Sequence, residues 1–310
     1  MSDHAATYSK IISPEEYNEI ISRQHVYISA SDKLIIDAIN YYKPTDRIAE
    51  VVELGCGPAR VLEQVAGVVN NIHLLGIDYD EAFLEYAKKL LENAPTQVDL
   101  VHADFTGWSS DKQIDIFYSQ GVHHHIGKGQ DLKTYLMKVY EILTNEGVYI
   151  VSDEFIPEYI DESARKVKAV IWYTHVIAAA RRTHYDYLAQ EEAKTLLDDL
   201  YESESDCGIK SSDQINLVLR SANELDSQSR AGDLEKSQEL ADKFLKKLGK
   251  LQSTTQTGDV TLDLSRGDYK ICDSVFRKEV EESGFRILDR KTIGPVDTIG
   301  GMSVYILQKA

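Results

Sequence analysis

The chain reads as a doubly wound α/β protein: a mainly parallel, seven-stranded sheet with a helical insertion after the fifth strand. Three observations predict this. Short apolar runs alternate with amphipathic helical patterns from 48 to 155, as in a parallel sheet covered on both faces. A glycine turn, Gly55-Cys56-Gly57, follows the first run, where an open α/β sheet holds nucleotide-like ligands at its strand ends. The strand pattern then stops after 155 and resumes only at 271–310.

Residues 1–47 precede the first strand and form an N-terminal helical lid segment. Pro14-Glu15-Glu16 opens one helix, and Ser31-Asp32 caps a second running through Leu34, Ile35, Ala38 and Ile39. Tyr8, Tyr17, Tyr27, Tyr41 and Tyr42 suit either a lid over a ligand or a packed helical layer. The first strand covers 48–54. Val61, Leu62, Val65, Val68 and Val69 then share a helix face. Strands are predicted at 72–77, 98–103, 114–119 and 148–152. Phe83, Ala87, Leu90 and Leu91 mark a helix between the second and third. Leu132, Tyr135, Leu136, Val139, Ile142 and Leu143 mark another before the fifth.

Residues 156–270 carry no convincing buried strand and read as a helical cap insertion. Within it, 169–180 is apolar nearly all round, as in a helix buried on most sides, and 233–251 is amphipathic. The polar stretches 202–213 and 252–259 read as loops. Trp172, Tyr173, His175, His184, Tyr185 and Tyr187 suit either the core of the insertion or an aromatic pocket wall. Asp273 is placed as the N-cap of a helix with Phe276 and Val280 inward and Gly284 at its end. The runs 285–291 and 302–308 complete the sheet as an antiparallel pair at its edge. The core is therefore 48–155 plus 271–310.

The formal charge of −17 over 310 residues argues against a nucleic-acid backbone binder, since that affinity comes from clustered Lys and Arg. A small-molecule substrate fits better. No run approaches 18 consecutive apolar residues, so no membrane partner is expected. The N-terminus lacks the basic head and apolar centre of a secretory signal. Cys56, Cys207 and Cys272 lie far apart without metal-type spacing. Reduced thiols and a cytoplasmic location follow as the expectation. The sequence leaves a homodimer open.

Glu53, Asp78 and Asp104 end successive strands beside the glycine turn. Asp78 lies where a carboxylate accepts both ribose hydroxyls. Asp104 is placed to receive an adenine amine, with Phe105 flanking the ring. The pattern describes an adenosine-shaped ligand. With Glu53-Leu54-Gly55-Cys56-Gly57, Gly76-Ile77-Asp78, Ala103-Asp104-Phe105 and Gln120-Gly121-Val122-His123-His124-His125-Ile126, the chain resembles the class I S-adenosylmethionine-dependent methyltransferases. The resemblance covers a little under half the chain. It implies an S-adenosylmethionine site with Gly55 and Gly57 at the methionine part, Asp78 at the ribose and Asp104 at the adenine, and Glu53, Cys56, Tyr79 and Phe105 join them as cofactor-binding candidates. Gln120 would lie near the amino-acid end and the reactive methyl. Ala59 departs from the pattern, since many members carry a third glycine there. A nicotinamide fingerprint would need glycine at Arg60. Aminopropyl transferases usually place further acids where this chain has histidines.

Adjacent histidines on one short segment point in different directions, so 123–125 suits structural or substrate-lining roles better than a metal site. No metal ligands are assigned. His123 and His124 are the candidate general bases, as imidazole titrates near neutrality. Tyr27, His125 and Trp172 are the candidate substrate contacts, and Asp153-Glu154 are placed to touch a substrate cation. The expected reaction is in-line methyl transfer to an O, N or C nucleophile of a small molecule. A protein-modifying methyltransferase and a non-catalytic cofactor-binding scaffold are the alternatives.

Overall fold

The computed structural model describes residues 9, 12–24, 27–126, 130–183, 186–200, 212–254 and 269–310. Tyr8, His184, Tyr185, Cys207 and the predicted loop positions 202–211 and 255–259 lie outside them, as does the side chain of Tyr187.

Seven strands form one sheet: β1 (Ala49–Leu54), β2 (Ile72–Asp78), β3 (Val98–His102), β4 (Ile114–Gln120), β5 (Leu143–Phe155), β6 (Phe285–Ile293) and β7 (Gly301–Lys309). Their order is β3-β2-β1-β4-β5-β7-β6. β1 to β5 are parallel, and β7 runs antiparallel between β5 and β6. From β1 the chain proceeds to β2 on one side and later to β4 on the other. The crevice at the strand carboxyl ends therefore opens between β1 and β4, the topological switch point.

β5 is longer than the apolar run predicted. It pairs with β7 from Val148↔Gln308 to Phe155↔Gly301, and that ladder carries the polar Asp153 and Glu154 in extended conformation. They lie inside the strand and not after it.

Eleven described helices flank or cover the sheet. Before β1 come α1 (Pro14–Gln24) and α2 (Ile28–Tyr42). α3 (Arg60–Val68) and α4 (Glu81–Leu90) follow β1 and β2. α5 (His123–Ile126) and α6 (Gln130–Ile142) follow β4, and α11 (Asp273–Glu282) precedes β6. Between β5 and α11 lie α7 (Glu162–Arg182), α8 (Asp186–Leu200), α9 (Ser212–Arg230) and α10 (Leu234–Thr254). One face of the sheet packs Ile35, Ile39, Val61, Leu62 and Leu84. The other packs Leu136, Val139, Phe276 and Val280. The inserted helices close a third apolar cluster around Ala169, Trp172, Leu196, Val218 and Phe244.

Two predicted caps are corrected. α2 begins at Ile28, so Ser31 and Asp32 sit inside it, and both are buried in side-chain contacts of their own. Cys272 holds the N-cap position of α11, without a side-chain cap bond. The Asp273 carboxylate instead takes the Tyr305 hydroxyl, Arg277 Nε at 2.7 Å and Arg290 Nε at 3.0 Å. α8 and α9 were not predicted. α9 buries Gln214, Asp226 and Ser229 along with Leu217, Val218 and Leu225, and polar residues on the inner face erase the apolar period that identifies a helix.

Candidate active site

The glycine turn has the conformation its residues permit. Gly55 and Gly57 adopt φ of 66° and 51°, left-handed values that glycine takes without steric cost. A Cβ at Gly55 would come within 2.7 Å of Val122 Cγ2. Ala59, at the third-glycine position, also takes φ 66°, a conformation that costs a side-chain-bearing residue about 1 kcal/mol or more.

Asp78 organises this loop from below. Its carboxylate accepts the Gly57 amide at 2.7 Å and the Asp80 amide at 2.8 Å, and the residue is 7% exposed. Burial raises the Asp78 pKa, against the lowering effect of those backbone donors. Glu53 is buried at the end of β1, where Tyr118 donates to it at 3.0 Å. Burial lifts its pKa to about 8, although Tyr118 and the Arg60 charge oppose the shift. Glu53 therefore keeps its proton at neutral pH. The hydrogen bond recorded for this predicted cofactor residue is the one from Tyr118 on the neighbouring strand β4. The Cys56 sulfur lies against Gly76, and its amide donates to Ile77 O at 3.1 Å.

The Glu53 carboxyl yields a signed pH prediction. Its folded pKa lies above the ordinary 4.5, so the stability it contributes is full below about pH 4.5 and is lost as pH rises through about 8. Glu53→Gln keeps an acceptor for Tyr118 and carries no titration. Its denaturant midpoint is expected to gain on wild type between pH 5 and 9, by about 1 kcal/mol or more at the upper end. Parallel pH profiles of the two proteins would refute this.

Asp104 is exposed, and its Oδ1 accepts the Thr106 amide at 2.9 Å and hydroxyl at 2.8 Å, capping a short 3-10 turn at Phe105–Gly107. Phe105 is 7% exposed and packs edge-on against Phe117 and Tyr135. It belongs to the core more than to a ring-flanking surface, which corrects its predicted role. Tyr79 is 41% exposed beside Asp78. Burial of its hydroxyl, with the Asp78 and Asp80 charges, pushes its pKa up to about 12.

The histidine run divides at the ends of β4 and β5. His123 turns inward: it is 4% exposed, bonds Tyr149 Oη through Nε2 at 2.8 Å and meets the rings of Tyr135 and Phe276. Burial lowers its pKa to about 4, so it is a neutral core histidine. That corrects its assignment as a base. His124 stays at the mouth. Its Nδ1 meets Asp153 Oδ1 at 2.5 Å, while Asp153 also accepts the amides of His123 at 2.6 Å and Glu154 at 2.7 Å. Burial would raise the Asp153 pKa, yet His124, His123 and Lys270 hold it well below the usual carboxylate range. The structure thus builds a His–Asp pair at the strand ends, with Asp153 the partner the sequence reading had assigned to substrate. A Cβ at Gly121 would lie 3.7 Å from His124 Cε1, so the imidazole edge faces the turn after Gln120. His125 packs against His124 with the rings tilted by 51° and their centroids 3.9 Å apart.

Glu154 is held within the protein, by Lys270 Nζ at 2.6 Å and Trp172 Nε1 at 3.3 Å. The cation expected for it is therefore supplied by the chain. Trp172 is wholly buried and stacks on Tyr27 at 6.1 Å. It is corrected from a substrate contact to core of the insertion. Tyr27 is half-buried and bonds His175 Nε2 at 3.4 Å; His175 in turn bonds Asp226 at 2.7 Å. This joins the N-terminal segment to the inserted helices.

Two features were missed. Ser9 donates through its amide and hydroxyl to Asp80, at 3.0 and 2.8 Å, and Tyr17 packs on Phe83 at 5.3 Å. α1 thereby lies over α4 beside Asp78. Burial lifts the Tyr17 hydroxyl to about 12, against Arg60, with Asp78, Glu192 and Glu154 adding to the rise. The second is a buried knot. Arg60 forks onto Asp32 and also donates to Gln120 Oε1. Gln120 Nε2 donates to Asp32 at 2.8 Å and Ser31 at 2.9 Å, and Gln64 donates to Asp32 at 3.1 Å. Only the Pro-Ala-Arg sequence after the turn hinted at it, and its acidic partner lies 28 residues away. Among the described residues no three His, Cys, Asp or Glu side chains converge as metal ligands, and no described helix is long and apolar enough to cross a membrane.

Residues 51–147 match a family model described as a methyltransferase domain. The carboxy-S-adenosyl-L-methionine synthase of Nautilia profundicola is 24% identical over 162 residues, 51% of this chain and 65% of that protein. The trans-aconitate 2-methyltransferase of Sinorhizobium fredii is 30% identical over 110 residues, 36% of this chain and 39% of that protein. The chain thus spans less than two thirds of the length of these relatives. A solved S-adenosylmethionine-dependent methyltransferase from Clostridium acetobutylicum superposes with a TM-score of 0.54 at 12% identity, covering 98% of this chain and 99% of that one. That likeness speaks for the fold. With the strand order and the glycine turn over Asp78, that match makes residues 51–147 a methyltransferase domain of the S-adenosylmethionine-dependent kind.

Proposed function

We propose that this protein transfers the sulfonium methyl group of S-adenosylmethionine to an O, N or C nucleophile of a small molecule. The observation that carries the reading is the His124–Asp153 pair at the ends of β4 and β5, next to a glycine turn built on Asp78. The residues fit the cofactor: a Cβ would fill the cradle at Gly55, and Asp78 presents a buried carboxylate there. Gly55, Gly57, Asp78 and Gln120 would hold it, with Asp104 and Tyr79 at the outer, exposed end. When bound, S-adenosylmethionine supplies a methyl already activated for in-line displacement.

The chain then has to orient the substrate, exclude water and take up a proton. Asp153 meets His124 Nδ1 at 2.5 Å and fixes the orientation of the imidazole. α1 and the helices of the insertion cover the strand ends as a lid and cap, and restrict water and substrate poses. The trans-aconitate relative acts on a small acid by its name, which favours a small-molecule substrate here.

Release of S-adenosylhomocysteine from S-adenosylmethionine is the assay, run against panels of small carboxylic acids, phenols and amines. Wild type is expected to turn over at least one class. His124→Gln should bind S-adenosylhomocysteine as wild type does and lose about 10²–10⁴-fold in turnover. Wild type that binds no S-adenosylhomocysteine would end the methyl-transfer reading. Undiminished turnover by His124→Gln would remove only the base.

A further inference from the structure

A cavity beyond the ends of β4 and β5 has a lining whose two sides differ in kind. Phe155, Ile271 and Phe276 form an apolar wall, while His123, His124 and Asp153 supply polar surface. The Glu154–Lys270 pair, at 2.6 Å, lies beside them. His123 is buried and neutral, and its Nδ1 has no hydrogen-bond partner among the described residues. A buried nitrogen left in this way is a place for a polar group that arrives with a ligand. The Tyr269 amide donates to His124 O at 2.7 Å. The chain returning from the insertion thus holds the backbone of the candidate base.

These groups sort the classes of acceptor. A carboxylate would meet the Asp153 and Glu154 carboxylates at close range, and like charges brought together at a site exclude the wrong partner. It also ionises unaided well below neutral pH, so a base beside it would have no proton to take. An ammonium would find both acids already paired, with His124 and with Lys270, and would lose its water against an apolar wall. A hydroxyl on an aromatic ring meets neither cost. It keeps its proton at neutral pH, as the tyrosine phenol does with a pKa of about 10, and therefore needs the base.

We propose that the acceptor is a neutral aromatic hydroxyl compound whose hydroxyl enters this cavity between His124 and His123, and that the site rejects carboxylic acids. This rests on the methyl-transfer reading above and narrows it to oxygen. The ring lies against Phe155, Ile271 and Phe276. The hydroxyl oxygen forms the new bond to the methyl carbon, and the bond from that carbon to sulfur breaks with its electron pair left on sulfur. The hydroxyl proton passes to His124.

The test is release of S-adenosylhomocysteine with ring-matched acceptors: phenol, catechol and para-nitrophenol against benzoate and benzylamine. In wild type, kcat/KM for the hydroxyl compounds should exceed that for benzoate and for benzylamine by about 100-fold or more. His124→Gln should lose about 100-fold with phenol but under about tenfold with para-nitrophenol, which ionises by itself near neutral pH. A residue that only supports the fold would cost both phenols equally. Glu154→Gln removes one repelling charge and takes a carboxylate off Lys270. It should narrow the gap between phenol and benzoate about tenfold, and the wild-type panel decides alone if this variant does not fold. Preference of wild type for benzoate or benzylamine, or equal losses on the two phenols in His124→Gln, would overturn the hydroxyl site and leave methyl transfer standing. Wild type that binds S-adenosylhomocysteine yet methylates none of the hydroxyl compounds would also overturn it and leave the cofactor reading. Wild type that binds no S-adenosylhomocysteine would overturn both.

Discussion

The Asp78→Ala protein is expected to lose the rise in thermal midpoint that S-adenosylhomocysteine gives wild type. At 100 times its dissociation constant a ligand adds about 2.7 kcal/mol to stability. A buried carboxylate that accepts ribose hydroxyls contributes about 1.5–3 kcal/mol per charged hydrogen bond. Losing it lowers affinity about 100-fold or more, enough to remove the shift at that concentration. The variant also leaves the Gly57 and Asp80 amides without their acceptor. The unliganded protein should therefore be less stable by about 1–3 kcal/mol. Here 5′-methylthioadenosine is the informative second ligand. It keeps the ribose, so its binding falls along with that of S-adenosylhomocysteine. A ligand-induced shift in Asp78→Ala equal to that of wild type would show that the strand-end acid does not hold the nucleoside.

The largest loss of stability is expected in the insertion. Arg165 and Asp199 face each other at 2.7 Å with both side chains wholly buried. Burial alone would lower the Arg165 pKa, but Asp199 and Glu162 raise it. The guanidinium also lies 4.1 Å over the Tyr269 ring and donates to Lys270 O at 3.2 Å, tying α7 and α8 to the chain that re-enters the sheet domain. Asp199→Ala leaves the buried guanidinium only the half-exposed Glu162 carboxylate, at 3.0 Å, as its charged partner and should cost about 3 kcal/mol in denaturant unfolding. The Arg165→Met/Asp199→Ala pair should recover much of that, because it removes both charges together. A loss under about 1 kcal/mol for Asp199→Ala would mean that solvent or Glu162 screens Arg165 after all.

Position in the sequence decided much of this protein. β1, β2, β4 and the centre of β5 were legible because parallel strands buried on both faces need near-continuous apolar runs. The glycine turn and Asp78 were legible because left-handed backbone and a strand-end acid are local demands on one or two residues. His124 was nominated from the same stretch, but so was His123, and nothing local separates neighbours whose rings point in opposite directions. Tertiary structure made that division: the aromatic wall of Tyr135, Tyr149 and Phe276 takes His123 inward, and Asp153 on the next strand holds His124 at the mouth.

The same physics explains the other differences. Asp32 looked like a helix cap because a cap is read from its neighbours; its true partner, Arg60, is reached only when α2 docks on the sheet. Trp172 and Glu154 looked like pocket residues until the insertion closed over them and Lys270 supplied the charge. α9 was hidden because buried Gln214, Asp226 and Ser229 interrupt its apolar face, and Asp226 and Ser229 find their partners on α7 and α10, which no apolar period records. Backbone demands and strand burial are short-range and leave their mark on adjacent residues. The pairing of buried polar groups is long-range, and it exists only once the fold has brought distant residues together.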